Sequence, residues 1–457
     1  MSNSLSELWR SALLTVLLLT VVIQPLPAQN NNESTRNVRE MSLEEVLQIA
    51  EQENFQIRMA EADIEIMRSQ YRQTNAVFLP QISLEETGVS TNDPLNVFGF
   101  KLKQESATTA DFNPARLNAP DLYENFTSKL QVQQPLFNPD QLFRRSAVKN
   151  QLNAAREQLL STRSYARFQV KDAYYQLLLT DERLSVINPS LKAARRNEER
   201  AGDLLDQGMI SKADYLAAAV RVRDLESRQS EAQDQLQSVQ ENLHFLLGMN
   251  EEVTIKPTDS LRMAPYSLTS IPVSPGITNS TLQALQYRIQ AAEEMVKSTK
   301  FSFVPSLNAF GSYEFNDDVL FGTRGESYFV GATLKWDLFS GLSKAGKVMQ
   351  SRAELKKAEV AYRSRSLKTR MEIKQARRSV TQARKQFEFA EASVEQAAED
   401  LRIRTDRYEQ GMETTSDLLR AEARQSQAHL QRLNAVYQYH ISLAKLELLL
   451  EQELPNN

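Results

Sequence analysis

The chain of 457 residues contains no cysteine. That removes disulfides, thiolate metal sites and the acylated cysteine of a lipoprotein together. Histidine is almost as scarce: His244, His429 and His440 all fall in helical stretches and make no zinc-type pair. The 13 glycines form neither a phosphate-cradling loop nor a serine elbow. No catalytic motif is therefore present, and no cofactor is expected. The formal charge is only −4, with basic and acidic residues interspersed, so nothing points to nucleic acid. Hydrophobic residues make up 41% of the chain, which over this length favours an elongated body with much solvated surface.

Long apolar runs are also missing. Ser11–Ile23 is uncharged but too short to span a bilayer comfortably, and no later run is longer. It follows Arg10 and precedes Pro25-Leu26-Pro27-Ala28, the order of a secretory signal occupying residues 1–28. The mature chain is expected to be exported and to meet any membrane through strands.

What is present is repetition. Phe78-Leu79-Pro80-Gln81-Ile82 returns as Phe303-Val304-Pro305-Ser306-Leu307, and Gln134-Pro135-Leu136-Phe137-Asn138 as Trp336-Asp337-Leu338-Phe339-Ser340. Gly208-Met209-Ile210-Ser211-Lys212-Ala213-Asp214-Tyr215-Leu216 returns as Gly411-Met412-Glu413-Thr414-Thr415-Ser416-Asp417-Leu418-Leu419. The landmarks keep one order in both halves, which predicts an internal duplication with a first repeat over about 29–270 and a second over about 271–457.

Helix fills the space between landmarks. Lys347–Gln410 holds neither glycine nor proline, and 64 helical residues make a rod of about 96 Å. Ile373, Val380, Phe387, Val394, Leu401 and Tyr408 keep a seven-residue step, with Ala376, Ala383, Ala390 and Ala397 beside the first four. This is a coiled-coil seam with a small-residue layer. Val170, Leu177, Leu184, Leu191 and Leu205 repeat it, interrupted by Glu198 at a seam position and by Pro189 on the outer face, where a kink rather than a break is expected. The helices are predicted at about 42–77, 140–207 and 211–247, then 281–302, 343–410 and 414–452. In each half two shorter helices stacked end to end would match one long rod.

Four segments alternate instead. Tyr328, Val330, Ala332, Leu334, Trp336 and Leu338 stand against Phe329, Gly331, Thr333, Lys335 and Asp337. Phe126, Leu130, Val132 and Leu136 do the same, as do Leu307, Ala309, Tyr313 and Phe315, and more weakly Ile82 and Leu84. Strands are predicted at about 79–90, 126–137, 304–315 and 327–339. Their length suits a tilted membrane strand, although a soluble sheet packed on helices would alternate too. Four strands cannot close a barrel, and lipid does not tolerate an open edge, so membrane strands would have to be pooled from several chains.

Signal segment, duplicated halves, two strands per half, long rods and the turn Tyr408-x-x-Gly411-x-x-x-x-x-Asp417-x-Leu419 together resemble the TolC-like outer membrane efflux protein family. The resemblance runs from Met41-Ser42-Leu43-Glu44-Glu45-Val46 to Leu450. It implies an α+β membrane protein, a homotrimer with a twelve-stranded β-barrel in the outer membrane, four strands per protomer, continued by a periplasmic α-helical coiled-coil barrel. Residues 248–280 and the C-terminal tail would form an equatorial belt, and 91–125 an external loop. It also implies a passive exit duct for tripartite efflux or type I secretion, docked through a periplasmic adaptor (membrane fusion) protein to an RND or ABC-type inner-membrane pump. A periplasmic adaptor or a coiled-coil structural protein of an export complex is the alternative, but an adaptor has no reason for lipid-facing strands in both halves, and a coiled-coil stalk would lack the duplication with two strands per half.

Ser211 stands three before Asp214, and Thr414 three before Asp417, each just after a glycine, which is the pattern of a helix-ending glycine followed by a capping box. By resemblance, Gly208, Ser211, Asp214, Leu216, Gly411, Thr414, Asp417 and Leu419 form the periplasmic tip that meets the adaptor. The resemblance further implies a gate in which Tyr408 reaches Asp214. Glu413 stands where the family has an arginine, and is expected only to repel Asp214. Asp417 matches a pore-facing acid, with Arg420 close enough to offset it.

Overall fold

The computed structural model of the chain describes residues 37–250, 253–263 and 279–452. The signal segment 1–28, most of 264–280 and the last five residues of the C-terminal tail lie outside them.

Two rods run the length of the molecule. Helix α5, Pro139–Asp206, has 68 residues and α8, Ser343–Glu409, has 67, about 100 Å each. Ile373, Ala376, Val380, Ala383 and Ala390 are buried on α8, and Val170, Ala173, Leu177, Thr180, Leu191 and Ala194 on α5. The heptad seams are thus the packed faces. Helix α5 continues through Pro189, which is exposed.

Shorter helices lie beside the rods. Helix α1 is Leu43–Glu53, α2 Phe55–Gln73, α6 Lys212–Leu247, α7 Ser280–Phe301 and α9 Thr415–Leu450. The stretch expected as one helix over 42–77 is broken at Asn54, which has extended backbone (φ −61°, ψ 125°), caps Gln56 and Ile57 through Oδ1, and ends in a 3-10 turn at Thr74–Val77. Asn54 also joins the stacked pair. Its buried Nδ2 donates to the Leu246 carbonyl at 2.8 Å, supplying a partner that the last turn of α6 lacks. Asn279 repeats this in the second half, capping Leu282 and donating to the Leu449 carbonyl of α9 at 3.3 Å.

The largest apolar core lies at the waist, where Tyr174, Leu177, Leu243 and Leu247 meet Met41, Val46 and Ile255. Strand β1, Asn37–Met41, pairs in parallel with β4, Val253–Pro257. A strand ahead of the first helix thus pairs with β4, which lies within the segment 248–280 expected to form a belt. Buried Tyr174 ties the two, donating to the Met41 carbonyl at 2.9 Å and to Asp259 at 2.7 Å.

The second sheet has the order β2-β3-β5-β6, antiparallel throughout: β2 Gln81–Thr91, β3 Tyr123–Phe137, β5 Ser306–Asp317 and β6 Gly325–Lys335. The connection 91–125 is not plain loop but carries α3, Pro94–Lys103, and α4, Pro114–Asn118. Register decides what the faces are. Ile82 faces Val132, Leu84 faces Leu130, Leu130 faces Tyr313, and Tyr313 faces Tyr328. Leu307 faces Leu334 and Gly311 faces Val330. Residues opposite one another in a ladder point the same way, so four separate alternations merge into one apolar face. The other face is mostly polar: it holds Gln81, Ser83, Gln131, Gln133, Asn308, Ser312, Thr333 and the ion pair Lys129–Glu314 at 3.2 Å, beside one stacked aromatic pair, Phe310–Phe329.

Candidate functional site

Two places carry the chemistry: the turns where the long rods end, and the sheet about 100 Å away.

At the first turn α5 closes in a Schellman motif. Gly208 has φ +69°, its N–H donates to the Leu205 carbonyl, and Met209 donates to Leu204. The second turn is built alike, with Gly411 at φ +73° donating to Tyr408 and Met412 to Arg407. Ser211 then starts α6 with a complete capping box: Asp214 N–H donates to its hydroxyl at 3.2 Å, and its own N–H and hydroxyl donate to the Asp214 carboxylate. Thr414 accepts from the Asp417 N–H at 3.2 Å and donates to Oδ2 at 2.7 Å, while the other carboxylate oxygen lies 3.3 Å from Arg420. Asp417 is therefore cap and ion-pair partner at once.

The equivalent leucines differ. Leu419 is buried against Ala201 and Ala218, locking the second hairpin onto the first, whereas Leu216 is exposed. Tyr408 lies between the hairpins, its ring 5.9 Å from the Arg200 guanidinium and its hydroxyl 3.4 Å from that of Thr415. Within one protomer Tyr408 is thus engaged with Thr415, and Asp214 with Ser211.

Glu413 corrects an expectation. It does not stand free to repel Asp214, because Arg404 holds it at 2.8 Å, with only 12% of its side chain exposed. Arg404 also pairs with Asp400 at 2.9 Å, so one guanidinium binds the last turns of α8 to the turn that follows. Sequence reasoning missed Arg404, since a contact nine residues away across a reversal has no fixed spacing. It also missed Asn197, which donates to Glu422 at 3.0 Å across the hairpins, where burial holds the Glu422 carboxyl above the usual carboxylate range.

The sheet is the second element. Its apolar face carries Leu84, Tyr328, Val330 and Leu334, 66–78% exposed, on strands of 11–15 residues. β2 and β6 each have an unpaired edge. Among the described residues no helix is long and apolar enough to cross a membrane, and no His/Cys/Asp/Glu group could hold a metal ion.

Comparison with known proteins agrees with this geometry. The family model described as outer membrane efflux protein matches residues 46–249 and 277–451. The chain is 21% identical over 355 residues to the alkaline protease secretion protein AprF of Pseudomonas aeruginosa, covering 75% of this chain and 72% of that one. Its fold is similar to the outer membrane protein VceC of Vibrio cholerae (TM-score 0.75, 19% identity, 90% of this chain and 97% of that one). It is similar too to the CmeC outer membrane channel of Campylobacter jejuni (TM-score 0.77, 15% identity, 89% and 85%). The helix-rich α+β chain belongs to the outer membrane efflux protein family, and is an exit duct of the outer membrane.

Proposed function

We propose that the chain works as a homotrimer, each protomer giving four strands to a closed twelve-stranded barrel, and that it is a passive conduit and not an enzyme. The observation that carries this reading is one predominantly apolar face, with Glu86, Ser128 and Glu326 toward its outer end, bounded by two unpaired edges, since lipid leaves closure as the only solution for such a sheet. Detergent extraction of outer membranes followed by mass measurement tests it. A trimer is expected, and a monodisperse monomer with intact secondary structure would overturn it.

Duplication accounts for the matched parts. Asn54 and Phe78 recur 225 positions later as Asn279 and Phe303, whereas Gly208 recurs 203 positions later as Gly411. The step shrinks between the strands, where the first half has the long connection 92–122 and the second only 318–324. The two glycine turns are then equivalent tips at the periplasmic end, docking an adaptor that leads to an inner-membrane RND or ABC-type pump. AprF is named for secretion of a protease, so protein export is one use of such a duct, and the pump selects the cargo.

At the tip, Tyr408 of one hairpin reaching Asp214 of a neighbour would add a charge-assisted bond of about 1.5–3 kcal/mol. The weak 3.4 Å contact with Thr415 leaves the Tyr408 donor open to that exchange. Three copies of Asp417 would set a negative ring, reduced by Arg420. In single-channel recordings Tyr408→Phe should raise resting conductance and Asp417→Asn should weaken cation preference. No change in either places the gate elsewhere.

A further inference from the structure

The connection between β2 and β3 does not project away from the sheet. Lys103, the last residue of α3, has its Nζ 3.5 Å from Glu314, whose other carboxylate oxygen holds Lys129 on the polar face. Gln104 follows and is fully buried. Its Nε2 donates to the Glu124 carbonyl at 3.0 Å and to Asn125 Oδ1 at 2.9 Å, and its Oε1 accepts from the Tyr123 hydroxyl at 2.6 Å. Asn125 passes the network on to Thr127 and Asn316, both on the polar face. At Gly325, the first residue of β6, a Cβ would lie 1.9 Å from the Lys103 carbonyl oxygen, so the backbone of the connection rests directly on that strand. The segment therefore lies over the outer ends of β3, β5 and β6 on their polar side.

The connection is also packed within itself. Phe98 and Phe112 meet edge to face at 5.4 Å, Val97 is buried, and Lys101 pairs with Asp111 at 2.6 Å. Asp111 is held well below the usual carboxylate range, by the Lys101 bond first and then by the Thr108 N–H and hydroxyl.

We propose that residues 92–122 are a lid folded into the outer mouth of the duct, a second constriction that limits the size of what passes. This rests on the trimeric duct reading, in which the polar face lines the lumen. Geometry gives the consequence. Twelve strands about 4.8 Å apart and tilted about 40° enclose a backbone ring of roughly 24 Å diameter. A helix with side chains is about 10–12 Å across, so three inward copies of α3 fill most of that mouth.

The absence of cysteine makes the test direct. Gln133→Cys sits exposed on the polar face, deeper than the Lys129–Glu314 pair, and can be labelled from outside intact cells with a large polyethylene glycol maleimide. The parent chain should react slowly. Shortening 92–122 to the length of 318–324 should speed labelling on the order of tenfold or more, as the closed population is removed. Gln104→Ala, which keeps the whole chain and only unlatches the lid, should shift the rate in the same direction. Equal rates in all three overturn the lid and leave the duct standing. If Gln133→Cys resists even a small maleimide in ruptured membranes, whatever the loop, the polar face lines no lumen and both readings fall.

Discussion

Val330→Arg is expected to remove the detergent-resistant trimer from the outer membrane, while Thr333→Arg on the same strand leaves it in place. Both positions are exposed in β6, and only two residues separate them. Val330 lies on the apolar face opposite Gly311, and Thr333 on the polar face opposite Asn308. An arginine facing lipid near mid-bilayer costs about 2–4 kcal/mol. Three symmetric copies reach roughly 6–12 kcal/mol, comparable to the whole stability of a domain. An arginine facing an aqueous lumen meets no such cost. Trimer yield after extraction separates the cases: loss at both positions, or at neither, means that the apolar face does not meet lipid.

This contrast draws on register, which the sequence could not supply. Alternation in each strand was legible, because period two is a local property of Tyr328 to Leu338 or Phe126 to Leu136. That Leu84, Leu130, Tyr313 and Tyr328 form one row across four strands depends on pairing over up to 200 residues. The rods were legible for the same local reason, their seams repeating every seven residues. Asn54 was not, because its extended backbone is set by the distant Leu246 carbonyl that its side chain serves. Strand β1 has five residues and too little pattern to stand out before it meets β4.

Two features were readable and overlooked. Asp93-Pro94 and Asn113-Pro114 are each an N-cap followed by proline at the first helical position, and they begin α3 and α4 in what was expected to be plain loop. The two glycine turns were legible as caps and glycines, since helix ends are local. Their ion pairs were not: Glu413 was placed against Asp214 by analogy, and the chain's own Arg404 holds it instead.

Gly411→Val is expected to abolish export while trimers still reach the outer membrane, and Gly411→Asn to retain most of it. Gly411 has φ +73°, and a Cβ there would meet no atom within 4 Å, so the substitution is opposed by backbone strain and not by a clash. Asparagine enters the left-handed region readily, whereas a β-branched side chain there carries a strain of about 1–3 kcal/mol. Relieving it means undoing the Met412 to Arg407 bond of the Schellman turn, which shifts Glu413 away from Arg404 and Thr414 away from its cap on Asp417. That strain is small against the buried seams of α8 and α9, so folding and trimer formation should survive. It is large for a surface loop that must present one shape to a docking partner. Trimer content of the outer membrane and export of a pump substrate, measured on the same cells, separate the two effects. Normal export from Gly411→Val with full trimer content would show that the second glycine turn is not the docking tip, and equal loss with Gly411→Asn would show that the left-handed backbone is not what matters there.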